Sequence, residues 1–437
     1  MIRNYITQAI TMMRQHKLFS GIYIGGTAIS LALAMALFIA FNVQLAPAYP
    51  EYCRERLIYF EYIICHDLIG GGYSHLSTAG ELPDEFIPFI EDIDGIKQFS
   101  LRRSFSFYIQ NTLIDGEWVD MHLNSTCVDD KFWKIFNFKF IHGAPFTKEE
   151  LHDAKIVITA STAKALFART DVVGRRISFN KTANSEGVEA TIVGVVEDVP
   201  DCMTYTTHNI YFTLHTNNVK LSDDVQFELM GENQLFIEAE DIASVETIKK
   251  EFKERYARYS KEVMQRHNCT EYKYDVDIYS HWQFVFNCEP DDTAWNVFKN
   301  YFYVFLALLF IPALNLSGMI SSRMKSRIAE IGVRKAYGAT NAQILWQLLC
   351  ENLFLTIIGA LAGLALSYLF ADVFIEDIIS IHRGWRDSNE YSAALLYTPR
   401  IFAVTLLLCI LLNIASALLP ALFALRNNIV QSLYDKR

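Results

Sequence analysis

Four stretches of the chain carry no Asp, Glu, Lys or Arg: Leu18–Pro50, Asn300–Ser322, Asn352–Ala371 and Ile401–Leu425. They run for 33, 23, 20 and 25 residues, and a helix needs about 20 apolar residues to cross the hydrocarbon core of a bilayer. A single run of this kind fits the buried helix of a soluble protein. Four of them predict four transmembrane helices. The stretch between the first two runs reads differently. Lys155–Thr159 and Ala190–Val196 are β-branched runs bounded by polar residues, and Gly174–Phe179 reads as a further strand after a turn. Ser161–Phe167 reads as a short helix between them. Ser244–His267 is amphipathic, with Val245, Ile248, Phe252, Tyr256 and Val263 on one side, and Asp84–Ile93 predicts a shorter helix carrying Phe86, Ile87, Phe89 and Ile90. The pattern predicts an α-helical membrane protein with four transmembrane helices and a large mixed α/β extracytoplasmic domain inserted between helices 1 and 2.

Charge sets the orientation. Residues 1–17, 323–351 and 426–437 hold 11 bases against three acids, whereas 51–299 holds 25 bases and 41 acids and 372–400 three bases and five acids. Basic short loops stay on the cytoplasmic side, so both termini and the middle loop are expected inside. The net charge of −10 also argues against a nucleic-acid partner, whose binding surface would be basic. The expected divisions are an amphipathic helix at 1–17, a first span with an outward stalk at 18–50, the outer domain at 51–297, spans at 298–322, 351–371 and 401–425, a cytoplasmic loop at 323–350, a short outer loop at 372–400 and a tail at 426–437.

Some local features carry two readings. Ile2, Tyr5, Ile6, Ala9, Ile10 and Met13 share one helical face, which suits either a helix lying in the cytoplasmic interface or the frayed start of the first span. Ala46-Pro47-Ala48 looks like a signal cleavage site, but the apolar run before it is too long for a signal peptide. Gly21 and Gly25 form a small-xxx-small face suited to close helix packing, while Pro312 interrupts the second span and Asn315 follows one turn later to satisfy a freed backbone group or bond a neighbouring helix.

Six cysteines (Cys53, Cys65, Cys127, Cys202, Cys269 and Cys288) fall in the outer domain at irregular spacings, so one or two disulfides and free buried thiols are equally compatible with the sequence. Cys350 and Cys409 are expected to pack in the membrane. No nucleophile elbow, Walker A loop or zinc signature is present. The sequence predicts no enzyme, no metal and no cofactor bound by this chain.

The loop after the second run is the most informative segment. Ser321–Thr340 is basic, helix-forming and broken at Gly332 and Gly338, and Thr340-Asn-Ala-Gln343 is a capping box that would start a new helix. Its Glu-Ile-Gly-Val-Arg-Lys-Ala-x-Gly-Ala pattern (from Glu330 to Ala339) resembles the permease family of MacB, FtsX and the lipoprotein-release transporters. Ile156–Phe167, Asp171–Ile177 and Val193–Pro200 resemble that family's outer-domain signature, and Leu419–Arg426 its last span and exit.

The resemblance implies a permease subunit of an ABC transporter in a bacterial inner membrane. Its outer domain would be a split part, about 51–115 with 232–297, and a part inserted at about 116–231. The 323–340 loop would dock on a cytoplasmic ABC ATPase dimer through Glu330, Gly332, Arg334, Lys335, Gly338 and Ala339, with ATP and Mg bound by that partner. A second permease copy or a paralogue would complete the assembly, and a periplasmic adaptor or other periplasmic partner would meet the outer domain. ATP-driven motion would then be transmitted outward to move a drug, peptide or lipoprotein. The alternative is an FtsX-like regulator that activates a cell-wall hydrolase or senses antimicrobial peptides.

Overall fold

The computed structural model describes residues 17–67, 81–103, 123–179, 188–200, 203–214, 231–268, 272–308, 337–380 and 402–411, with shorter pieces between them. The chain divides into two compact units, Met1–Val43 with Thr293–Arg437, and Gln44–Asp292.

In the first unit, α1 spans Lys17–Leu45. Its stretch Ser20–Leu45, with a mean hydropathy of 2.2, is the one helix among the described residues long and apolar enough to cross a membrane. The described apolar parts of the later runs are shorter, Leu353–Ser367 and Phe402–Leu411.

The outer unit begins with β1 (Leu57–Asp67), followed by α2 (Pro88–Glu91), β2 (Ile96–Arg103), β3 (Tyr108–Ile109), β4 (Thr112–Ile114), β5 (Glu117–Val119) and β6 (Leu123–Val128). Next come α3 (Phe132–Ile135), β7 (Phe140–Gly143), β8 (Lys155–Thr159), α4 (Ala160–Phe167), β9 (Arg176–Phe179), β10 (Val188–Val196) and β11 (Ile210–Thr213). The unit closes with β12 (Asn233–Ala239), α5 (Ser244–Arg266), β13 (Tyr272–Ser280) and α6 (His281–Val285). Helices α7 (294–308), α8 (Asn341–Ser380) and α9 (402–411) return to the first unit.

Small residues bring α1 and α8 together. A Cβ on Gly359 would lie 3.0 Å from Thr27 Cβ, and one on Gly363 would lie 2.8 Å from the Ala28 carbonyl oxygen. Tyr23 and Thr356 share a hydroxyl hydrogen bond of 2.7 Å beside this contact. Leu31, Ala34 and Met35 of α1, Ala360 of α8 and Cys409 of α9 form the unit's core, with Phe305 and Leu308 of α7 packed against it. A Cβ added at Gly21 or Gly25 would meet nothing within 4 Å. Gly359 and Gly363 make a close approach of their own, as α8 presents them to Thr27 and Ala28 of α1. Pro312 and Asn315 lie outside the described residues, as does most of the predicted helix at 1–17.

In the outer unit the thirteen described strands join one sheet, eleven of them along the path β13-β1-β12-β2-β6-β11-β8-β10-β9-β4-β5, with β3 pairing β6 and β7 pairing β10 beside it. β10 runs parallel to β8 and β11 parallel to β6. The β-branched sequence Lys155-Ile-Val-Ile-Thr159 gives a strand buried along nearly its whole length, as expected for a strand covered on both faces. The amphipathic stripe of α5 packs Val245, Ile248, Phe252, Tyr256 and Val263 against Phe60, Phe86 and Ile278. The predicted helix at Asp84–Ile93 is a 3-10 turn at Asp84–Phe86 followed by α2, because Pro88 has no N–H to continue a hydrogen-bond ladder through the turn. Among the described cysteines of the outer unit, Cys53, Cys127 and Cys288 are not disulfide-bonded, and the first two are buried.

β6 pairs with β2 at Arg102–Val128 and Arg103–Cys127 and with β3 at Tyr108–Asn124 and Ile109–Leu123. Asp129 fastens its β2 end: its carboxylate accepts from Ser100 Oγ at 2.6 Å, Leu101 N at 2.9 Å and Phe132 N at 2.9 Å. Side chains add to the ladder. Tyr59 and Phe236 from one end of the sheet pack into one cluster with Phe132, Trp133, Phe136, Val157 and Tyr211 from the other.

Candidate functional site

The loop before α8 is visible at its C-terminal end. Tyr337 N donates to Val333 O at 3.1 Å. Gly338 then takes φ +87°, with open space where a Cβ would stand. A left-handed glycine ends a helix at low cost, and Tyr337 beside it is 89 % exposed. The new helix starts as the sequence predicts: Thr340 N donates to Gln343 Oε1 at 3.0 Å, and Gln343 N to Thr340 Oγ1 at 3.3 Å. Of the residues assigned to ATPase coupling, Gly338 and Ala339 stand in this turn. Glu330, Gly332, Arg334 and Lys335 lie outside the described residues.

The outer unit contains a polar cluster that the periodicity of the sequence does not announce. Glu51 and Arg54 are both fully buried and paired at 2.9 Å. Glu51 also accepts from Tyr205 N at 2.7 Å, Thr206 N at 3.1 Å, Thr204 N at 3.2 Å and Thr206 Oγ1 at 2.9 Å. Arg54 Nη1 donates to Gln44 O at 3.3 Å and Ala46 O at 3.0 Å. His281 completes the cluster, with Nε2 2.9 Å from Gln44 O and Nδ1 3.2 Å from the Tyr205 hydroxyl. Burial pushes the Glu51 carboxyl up, but the Arg54 charge, the Tyr205 N–H, His281 and Thr206 outweigh it and hold it below its usual value. Burial and the Arg54 charge push His281 down to about 4. The imidazole is therefore neutral near pH 7: Nε2–H donates to the Gln44 carbonyl and Nδ1 accepts from Tyr205. The one local signal is that Glu51 and Arg54 are the first charged residues after 32 charge-free positions following Leu18.

A second group of acids lies along the β1–β13 pair. Burial, with Asp277 opposing Arg102, pushes Glu61 up to about 7, and burial also raises Asp277. Tyr279 donates to Asp277 Oδ2 at 3.1 Å, and Tyr59, Tyr62, Glu289, Arg102, Lys253 and Asp275 are among the charged or titratable groups around the two acids. A carboxyl whose folded value exceeds its unfolded value stabilises the protonated fold, so this contribution is lost as pH rises from about 4.5 to about 7. In full-chain denaturation titrations, Glu61→Gln should gain stability over the parent as pH rises through this window. The difference should be on the order of 1 kcal/mol above neutrality once solvent screening is allowed for. A pH-independent difference would remove Glu61 as the source. Among the described residues no cluster of His, Cys, Asp and Glu could hold a metal ion.

The profile of the MacB-like periplasmic core domain matches residues 20–255, and that of the FtsX-like permease C-terminal region matches 302–429. The chain belongs to the MacB/FtsX family of ABC transporter permeases. It is 24 % identical over 307 residues to an uncharacterized ABC transporter permease, YknZ, of Bacillus subtilis, covering 68 % of this chain and 66 % of that one. It is 23 % identical over 329 residues to a macrolide export ATP-binding/permease protein, MacB 1, of Yersinia pestis, covering 72 % of this chain and 44 % of the relative. The alignments thus span just under two thirds of one relative and less than half of the other. Among solved structures, the periplasmic region of MacB from Actinobacillus actinomycetemcomitans aligns with 52 % of this chain and 90 % of its own at 14 % identity, with a TM-score of 0.34.

Proposed function

We propose that the chain is the permease subunit of an ABC transporter, crossing the inner membrane four times with both termini inside. The loop around Arg334 and Lys335 docks on a separate ATPase, and the outer unit is moved by ATP binding there. The cargo is a drug, a peptide or a lipoprotein handled outside the bilayer. The observation that carries this reading is the turn before α8, where a left-handed Gly338 and the Thr340–Gln343 cap stand within the matched permease region. A helix end closed by a glycine leaves its backbone open to close approach by another protein. Arginine and lysine just before it suit carboxylates on a partner. The macrolide export named for the Yersinia relative supports the efflux form of the proposal.

The test is co-purification of the full chain from membranes with an ATP-hydrolysing partner. Arg334→Glu with Lys335→Glu should remove the associated ATPase activity by more than about tenfold, the effect of reversing paired charges across an interface. An undiminished complex would end the assignment of the loop.

A further inference from the structure

The last residues of α1 pose a problem that the outer unit solves. The final carbonyls of a helix have no partner within it, and α1 carries no basic residue in its last turn. Gln44, the second-to-last residue of α1, belongs to the outer unit. Its carbonyl receives Arg54 and His281 from that unit. Neither donor is free to shift. Arg54 is held by Glu51. Glu51 in turn is held by the backbone N–H groups of 204–206, and His281 by the Tyr205 hydroxyl. The polar contacts therefore run without a break from the end of α1 to the 203–206 segment, whose Tyr205 packs on Tyr59 and Phe236 in the aromatic core.

Stability alone does not call for this arrangement. Replacing a buried ion pair by apolar residues of similar volume is often neutral or stabilising. What an ion pair adds is direction. Apolar contact is non-directional and lets a helix end turn about its axis, whereas hydrogen bonds to a carbonyl weaken steeply when they are misaligned. We infer that Glu51, Arg54 and His281 are positioning residues that form the joint through which rotation or axial shift of α1 enters the outer unit. This rests on the proposal that the chain transmits ATP-driven motion.

The experiment uses the full chain with its co-purified ATPase in detergent and compares amide hydrogen exchange with and without ATP and vanadate. The readout is the nucleotide-dependent change in β8, α4 and β10, which lie outside the joint. The parent should show such a change. Glu51→Leu with Arg54→Met strands the N–H groups of 204–206 and the Ala46 carbonyl, so it should melt below the parent; at temperatures where it is folded it should lose the nucleotide-dependent change by at least about fivefold, the lower end of typical coupling between sites. His281→Phe keeps the ion pair and cuts the bonds to Gln44 and Tyr205, and should lose a smaller part. It decides the matter alone if the double variant does not fold. A full change in the folded variants overturns the joint and leaves transmission standing. No change in the parent overturns transmission, and the joint with it.

Discussion

Replacing Phe132 by alanine should destabilise the outer unit by about 3–5 kcal/mol, the range for removing a buried aromatic side chain. Phe132 is fully buried, and its ring centroid lies 4.7 Å from that of Phe136, 5.6 Å from Trp133, 5.8 Å from Phe138, 5.9 Å from Tyr211 and 6.2 Å from Phe236. Rings set edge to face around a void cannot collapse into it without losing one another, so the cavity should persist. Its helix, α3, has four residues, too few to stand by itself, so its position is set by this packing and by the Asp129 bond to Phe132 N. Phe132→Leu keeps most of the volume and should cost under about 1.5 kcal/mol. Chemical denaturation of the full chain, followed by tryptophan fluorescence from Trp133 in the same cluster, measures both. An alanine variant within about 1 kcal/mol of the parent would mean that the cluster relaxes freely, and that the two ends of the sheet are held by something other than these rings.

Gly143→Ala should be about as damaging, for a different reason. Gly143 has φ +71°, and a Cβ there would stand 2.1 Å from the Val193 carbonyl oxygen, which belongs to the paired strand β10. Its left-handed conformation alone costs an alanine roughly 1–2 kcal/mol. The collision adds to that, because backbone cannot rotate away as a side chain can, so a total loss of about 3 kcal/mol or more is expected. Gly174 is the control. It has φ +86° with nothing within 4 Å of the added methyl, so Gly174→Ala should show only the conformational part, about 1–2 kcal/mol. Equal losses at the two positions, read as denaturation midpoints under one condition, would show that the contact with β10 is not rigid.

How legible these features are in the sequence depends on their range. β8 coincides with the β-branched run Lys155–Thr159, α5 with the stripe from Val245 to Val263, and the Thr340–Gln343 cap with its four-residue pattern. Each is written within one turn or one strand. The polar cluster is not, because Glu51 meets its partners at 204–206 more than 150 residues along the chain, and a lone acid after an apolar run looks like the first solvated residue. The packing glycines were obscured in another way. Gly21 and Gly25 have the same spacing as Gly359 and Gly363, and spacing does not reveal which helix face is covered. The β2–β6 pairing was equally hidden, since strand pairing across the sheet follows from the whole topology.

The aromatic cluster determines how the outer unit yields when it is loaded. Tyr59 and Phe236 meet Phe132, Trp133, Phe136, Val157 and Tyr211 there. Such a ball resists being pulled apart, because separation would wet it, but it offers less resistance to shear, since sliding rings exchange one apolar neighbour for another. Under a sideways push the rings should slip past one another before they part.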